Sequence, residues 1–98
     1  MNYYYRTQQI LGERFARLLA AWLASLPRGG WSGSVDDFGL ELDRLNEEGK
    51  FFAYVPYKSG LSKMLMAHEA AVTAAGWRLS FRRTAKARFI QFTRAAKR

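Results

Sequence analysis

Ninety-eight residues, 49% of them hydrophobic, suffice for one domain with its own core and are too apolar for wholesale disorder. With no cysteine and His68 as the single histidine, the chain has no disulfide framework, no thiolate metal site and no plausible nucleophile–base pair; neither an enzyme nor a metal or cofactor site is expected. The net charge of +8 is unevenly placed: residues 1–49 carry five basic and seven acidic side chains, whereas residues 50–98 carry eleven basic ones against Glu69 alone.

Such asymmetry is the footprint of a polyanion-binding surface, because concentrated Lys and Arg gain nucleic-acid affinity by releasing counterions. No run approaches the ~18 apolar residues a membrane span needs, and the N-terminus lacks a signal-peptide core. A soluble, cytoplasmic chain with no membrane partner is the expectation.

In chain order, Leu11, Phe15, Leu18, Trp22 and Leu26 recur at helical spacing, with Leu19 and Leu23 broadening the stripe, and predict an amphipathic helix over 7–26. Trp22 belongs to its core side. Pro27-Arg28-Gly29-Gly30 ends it. Trp31-Ser32-Gly33 is a brief extended segment. Ser34 then reads as an N-cap, with Asp36 and Asp37 in the first turn of a second helix that buries Phe38, Leu42 and Leu45 and stops at Gly49. Its outer face (Asp37, Glu41, Asp43, Glu47, Glu48) would repel phosphate and is expected to point away from nucleic acid. The carboxylates of Asp37 and Glu41, one turn apart, are read as part of that solvated face rather than as a metal or acid–base pair.

Residues 50–57 are aromatic and read as an extended linker or short strand, with Pro56 at an edge. Tyr54 and Tyr57 are expected to pack against the body. Ser59 or Ser62 is expected to cap a third helix running to Ala75 and ending at Gly76. Leu61, Leu65, His68 and Val72 lie on its apolar side, and Lys58, Ser59, Ser62, Lys63 and Met66 on its polar side. The period then becomes two: Trp77, Leu79 and Phe81 alternate with Arg78, Ser80 and Arg82, and Ile90 and Phe92 alternate with Phe89, Gln91 and Thr93. A hairpin follows from this, its tip expected to be a long, mobile loop over 82–88, since no Asn-Gly type turn is present. Residues 95–98 are a basic tail.

Helix, extended segment, helix, helix and hairpin is the order of an α+β winged helix-turn-helix: three helices followed by a two-stranded β-hairpin wing. The single domain 1–98 then divides into an N-terminal helix and turn (1–30), a helix-turn-helix-like core (31–76), the wing (77–94) and the tail (95–98). Beyond that order, Trp31-Ser32-Gly33-Ser34 opening a helix, Ala74-Ala75-Gly76-Trp77 closing one before a strand, and Phe81-Arg82-Arg83-Thr84-Ala85-Lys86-Ala87-Arg88 leading into Phe89-Ile90 carry a likeness. The stretch 31–94 resembles the C-terminal winged-helix domain appended to primase–helicase replication proteins of phages, plasmids and integrated elements.

The resemblance implies a nucleic-acid-binding accessory domain, with the third helix presented to a groove and the wing along the backbone. In that family a helicase module precedes the domain; here Met1 and a long first helix do, as in a stand-alone protein of a mobile element or an excised fragment. The segment 50–57 also departs from a compact helix-turn-helix.

The expected partner is duplex DNA. Arg82, Arg83, Lys86 and Arg88 would contact phosphates with Arg78 beside them, while Ser59, Ser62, Lys63 and Met66 would reach base edges and Lys58 would contribute at the helix start. Two alternatives stand beside it. One is RNA, which the same cations serve. The other is a protein-interaction module, an inhibitor or adaptor of a replication or host nucleic-acid enzyme, that uses the acidic second helix and the segments Tyr3-Tyr4-Tyr5 and Phe51-Phe52-Ala53-Tyr54. A homodimer through the surface from Tyr3 to Ile10 is a further expectation.

Overall fold

The computed structural model describes residues 3–95, with side chains from residue 12 onward. The first helix, α1, is Tyr3–Ala24. A strand β1 (Trp31–Ser34) leads directly into α2 (Val35–Gly49). An irregular stretch over 51–57 precedes α3 (Lys58–Ala67) and α4 (Glu69–Ala74), and a hairpin of β2 (Trp77–Arg83) and β3 (Arg88–Arg94) follows. The described residues thus form an α+β arrangement of four helices and a three-stranded antiparallel sheet in the order β1-β3-β2.

Two features correct the expected count of three helices and two strands. The segment from Trp31 is a strand in its own right, paired with the free edge of β3 from Trp31↔Phe92 to Ser34↔Phe89. Gly30 allows this pairing: its φ is 86°, and a Cβ there would collide with the carbonyl oxygen of Phe92.

The expected third helix is broken at His68. The His68 amide donates to Leu65 O rather than to the carbonyl four residues back (3.0 Å), and its ring Nδ1 lies 2.8 Å from that carbonyl, Met64 O. A carbonyl only accepts, so Nδ1 carries the proton. The side chain takes the place of the missing backbone bond, and the helix restarts with His68 O accepting from Ala71 and Val72. The ring is half-buried and packs 5.1 Å from Phe15, a structural role consistent with its place on the apolar stripe.

One core joins all layers. From α1 come Phe15, Leu18, Leu19, Trp22 and Leu23; from α2, Val35, Phe38 and Leu42; from α3 and α4, Leu61, Leu65 and Val72; from the hairpin, Trp77, Ile90 and Phe92. Leu26 and Leu45 are only partly buried, and Leu11 lies outside the residues whose side chains are described. Trp22 sits at the centre, its ring 5.0 Å from Phe38, 5.1 Å from Phe92 and 5.4 Å from Trp31, all edge-on.

The α2 N-terminus forms as its residues dictate, with Ser34 Oγ accepting from the Asp37 amide at 3.0 Å. Its C-terminus does not. Lys50, one residue beyond the expected glycine stop, takes the left-handed conformation (φ 52°, ψ 48°). Gly49 is needed for space instead, because the Phe51 ring folds over it. Asn46 then holds the following segment, donating from Nδ2 to Ala53 O (2.8 Å) and accepting the Ala53 amide at Oδ1 (3.1 Å). Phe51, Ala53 and Val55 turn inward, while Phe52, Tyr54 and Tyr57 face solvent. The expected packing of Tyr54 and Tyr57 against the body is therefore corrected: Tyr57 is 86% exposed.

No helix among the described residues is long and apolar enough to cross a membrane. The side chains of residues 3–10, where a homodimer surface was expected, and residues 96–98 of the basic tail lie outside the described residues.

Candidate nucleic-acid interface

The start of α3 is set by backbone geometry rather than by a serine. Tyr57 is the N-cap and makes no side-chain capping bond; its carbonyl accepts from Gly60 (2.9 Å) and Leu61 (3.3 Å). Lys58 enters the helix left-handed, with φ 47°. Neither Ser59 nor Ser62 caps. The first turn of α3 therefore has no side-chain acceptor for its amides, a terminus that favours negative charge.

The hairpin tip is tighter than its sequence suggests. The strands run to Arg83↔Arg88, leaving only the four residues 84–87 as loop, so the expected long loop over 82–88 is corrected. Thr84 organises it. Its amide donates to Ala87 O at 2.9 Å, and its hydroxyl accepts the amides of Lys86 (3.3 Å) and Ala87 (3.1 Å). A hydroxyl at this position offers the turn chemistry that Asn-Gly would otherwise supply. Arg82, Arg83 and Arg88 are consequently strand residues with defined faces. Arg83 and Arg88 are cross-strand neighbours on the side that, further down the hairpin, carries Ile90 and Phe92; Arg82 lies on the opposite side, paired with Phe89.

The tip and the α3 start meet across a cleft of about 410 Å³, whose walls include Lys58 and Ser59 from α3, Lys86 and Arg88 from the hairpin, and Ser34 and Asp36 from the start of α2. Of the residues expected to bind nucleic acid, four (Lys58, Ser59, Lys86, Arg88) share this space. Lys63 and Met66 are exposed further along α3. Arg78 and Arg82 are exposed on the outer face of the sheet. Asp36 was not foreseen here. It lies in the first turn of α2, outside the acidic face of Asp37, Glu41, Asp43, Glu47 and Glu48, and it lines the cleft.

Ser62 does not belong to the interface. It is 5% exposed, between the buried Leu61 and the partly exposed Lys63–Met64 turn, and its Oγ has no hydrogen-bond partner. A buried side chain does not reach a base edge, so its expected role is withdrawn. An unsatisfied buried hydroxyl costs stability, on the order of 1 kcal/mol or more. Ser62→Ala is therefore expected to raise the melting temperature by about 4 °C or more and to leave nucleic-acid binding unchanged; thermal denaturation and a binding titration check both.

The cations at the interface are free. Among the described residues the one ion pair is Arg44–Glu41 on α2, at 2.9 Å. Lys58, Lys63, Arg78, Arg82, Arg83, Lys86 and Arg88 make no ion pair with any described residue. Arg94, by contrast, is held over the Trp77 ring at 4.9 Å. Solvated cations gathered without internal partners remain available to an external polyanion.

Comparison of the chain with protein families, with curated proteins and with solved structures gives no match.

Proposed function

We propose that the chain is a winged helix-turn-helix domain that binds duplex DNA, with α3 as the helix offered to the major groove and the β2–β3 hairpin as the wing. The element order and the sheet order β1-β3-β2 suit that architecture. The observation that carries the reading is the convergence of Lys58 and Ser59, at an uncapped helix start, with Lys86 and Arg88 across one cleft. Two surfaces that meet a duplex separately, a helix terminus and a basic hairpin, would thereby engage the same stretch of backbone. Lys63 and Met66, exposed on α3, are the side chains best placed to meet base edges. The resemblance of 31–94 to the winged-helix domains of mobile-element replication proteins favours a role in replication or regulation of such an element.

Asp36 makes the reading testable from inside the cleft. A carboxylate beside Lys58 and Arg88 repels an incoming phosphate, so Asp36→Asn is expected to tighten duplex binding about two- to five-fold at low salt and less at high salt. Fluorescence anisotropy with a labelled duplex measures this. Equal affinity of variant and parent would mean that phosphate does not enter the cleft.

A second reading has one specific observation behind it. Beside the cleft, Val35, Gly39, Leu40, Val55, Pro56 and Leu61 line an apolar groove of about 300 Å³, and Leu40 is 68% exposed. An adaptor or inhibitor contacting a replication or host protein would cover such a groove, which adjoins the cleft and shares Val35, Asp36 and Lys58 with it.

A further inference from the structure

We propose that the outer face of the sheet is a second nucleic-acid site, one that takes an unpaired strand by stacking a base on Phe89. The proposal rests on the reading of the chain as a nucleic-acid-binding domain but uses a different surface from the cleft.

Register fixes what this face holds. Ser32, Gln91 and Ser80 lie directly opposite one another across the three strands, and Ser34, Phe89 and Arg82 form the next row toward the hairpin tip. On the other side of the Gln91 row, Arg78 pairs with Thr93. Side chains in one row sit about 5 Å apart, and Arg78 and Arg82, four residues apart on β2, are separated by about 13 Å along the strand. A shallow depression of about 330 Å³ lies over this face, lined by Ser32, Ser80, Arg82, Phe89 and Gln91 among others.

Each component suits a different part of a nucleotide. Phe89 is 37% exposed on a face whose other outward residues are polar or cationic, and its ring is the apolar platform of that face, with Phe81 and Ile90 also bordering the depression. A base offers a π-face for stacking, and its edge offers both donors and acceptors. Gln91 supplies one of each from a single amide, with the Ser32 and Ser80 hydroxyls on either side. Arg82 lines the depression and Arg78 lies one row beyond Gln91 on the same face, so the two cations flank the Gln91 row where phosphates beside a stacked base would run. No carboxylate lies in any of these rows. A duplex has its bases stacked inside and could not use Phe89 without opening. An apolar peptide would leave Gln91 and the serines without partners.

Arg78 and Arg82, two of the expected binding residues that do not line the cleft, would then contact phosphates of the unpaired strand. A domain with a duplex site in the cleft and a single-strand site on the sheet would sit naturally where a duplex opens.

The test is anisotropy titration of twelve-nucleotide oligo-dT, the matching oligo-U and a mixed-sequence duplex against the full chain at low salt. Phe89→Leu, which keeps apolar bulk but removes the ring, is expected to weaken single-strand binding roughly 5- to 100-fold and to leave duplex affinity within about two-fold. Phe89→Tyr should restore it, and Gln91→Ala should weaken the same arm without altering the hairpin's core face. A loss on either oligonucleotide supports the site, and the one affected more identifies the sugar it takes. Unchanged single-strand affinity in both Phe89→Leu and Gln91→Ala overturns the proposal, as does an equal loss on duplex and single strand. Failure of the duplex reading looks different: Lys58 and Arg88 variants would then leave duplex affinity intact, whatever Phe89 does.

Discussion

Replacing Lys58, Arg83, Lys86 and Arg88 together by Gln is expected to abolish most of the salt dependence of duplex binding. Each phosphate contact contributes about 0.9 to the slope of log K against log salt, so four lost contacts remove between three and four units. At physiological ionic strength the same loss amounts to roughly two to three orders of magnitude in affinity. The fold should not be the cause, since all four side chains are exposed and none makes an ion pair with a described residue. Exposed substitutions of this kind usually change stability by no more than about 0.5 kcal/mol. Arg44 is the matching control: its guanidinium is already bonded to Glu41 on the acidic α2, and its neutralisation should leave the slope unchanged. Titration of parent and variants at several salt concentrations reads both.

Phe38→Ala should cause a large loss of stability. Phe38 is fully buried, and its ring lies 5.0 Å from Trp22, 5.7 Å from Phe92 and 5.9 Å from Trp31, so one side chain ties α2 to α1, β1 and β3. Removing a buried Phe costs about 3–5 kcal/mol, from lost transfer energy and from the cavity left behind. A domain of this size has about 5–15 kcal/mol in all, and each kcal/mol moves its midpoint by about 4–8 °C. A fall of about 12 °C or more in thermal denaturation is the expected result.

Much of this arrangement could be read from residue order. The heptad-like spacing in α1, the Ser34 cap and the alternation in β2 and β3 are local signals, and each produced the element it predicts. The features that could not be read depend on contacts remote in sequence or on single side-chain bonds. Four residues with a central glycine are weak as an isolated strand, and Trp31–Ser34 becomes one only because β3 offers an edge. The helix break at His68 comes from a ring nitrogen taking a backbone acceptor, which apolar periodicity does not register. Lys50 rather than Gly49 turns left-handed, and the glycine is required instead by the Phe51 ring, which occupies the space a Cβ would take.

The candidate site divides in the same way. Its charge was legible, since the imbalance between the two halves of the chain is a matter of counting. The grouping of those charges was not. Composition alone treats Arg82, Arg83, Lys86 and Arg88 as one cluster. A four-residue turn held by Thr84 instead assigns Arg82 and Arg83 to opposite faces of the hairpin. A hydroxyl beside Lys63 suggests a solvated surface, while packing against α3's neighbours buries Ser62. Asp36 was overlooked because an acid in a helix's first turn already has a local explanation in the helix dipole.

The most direct test of the central claim is titration of the unaltered chain with a labelled duplex at two salt concentrations. Binding at micromolar concentration or tighter at low salt, weakening with a log–log slope of about −3 to −5, is the expected result. No binding at low salt, or an affinity that does not change with salt, would contradict it.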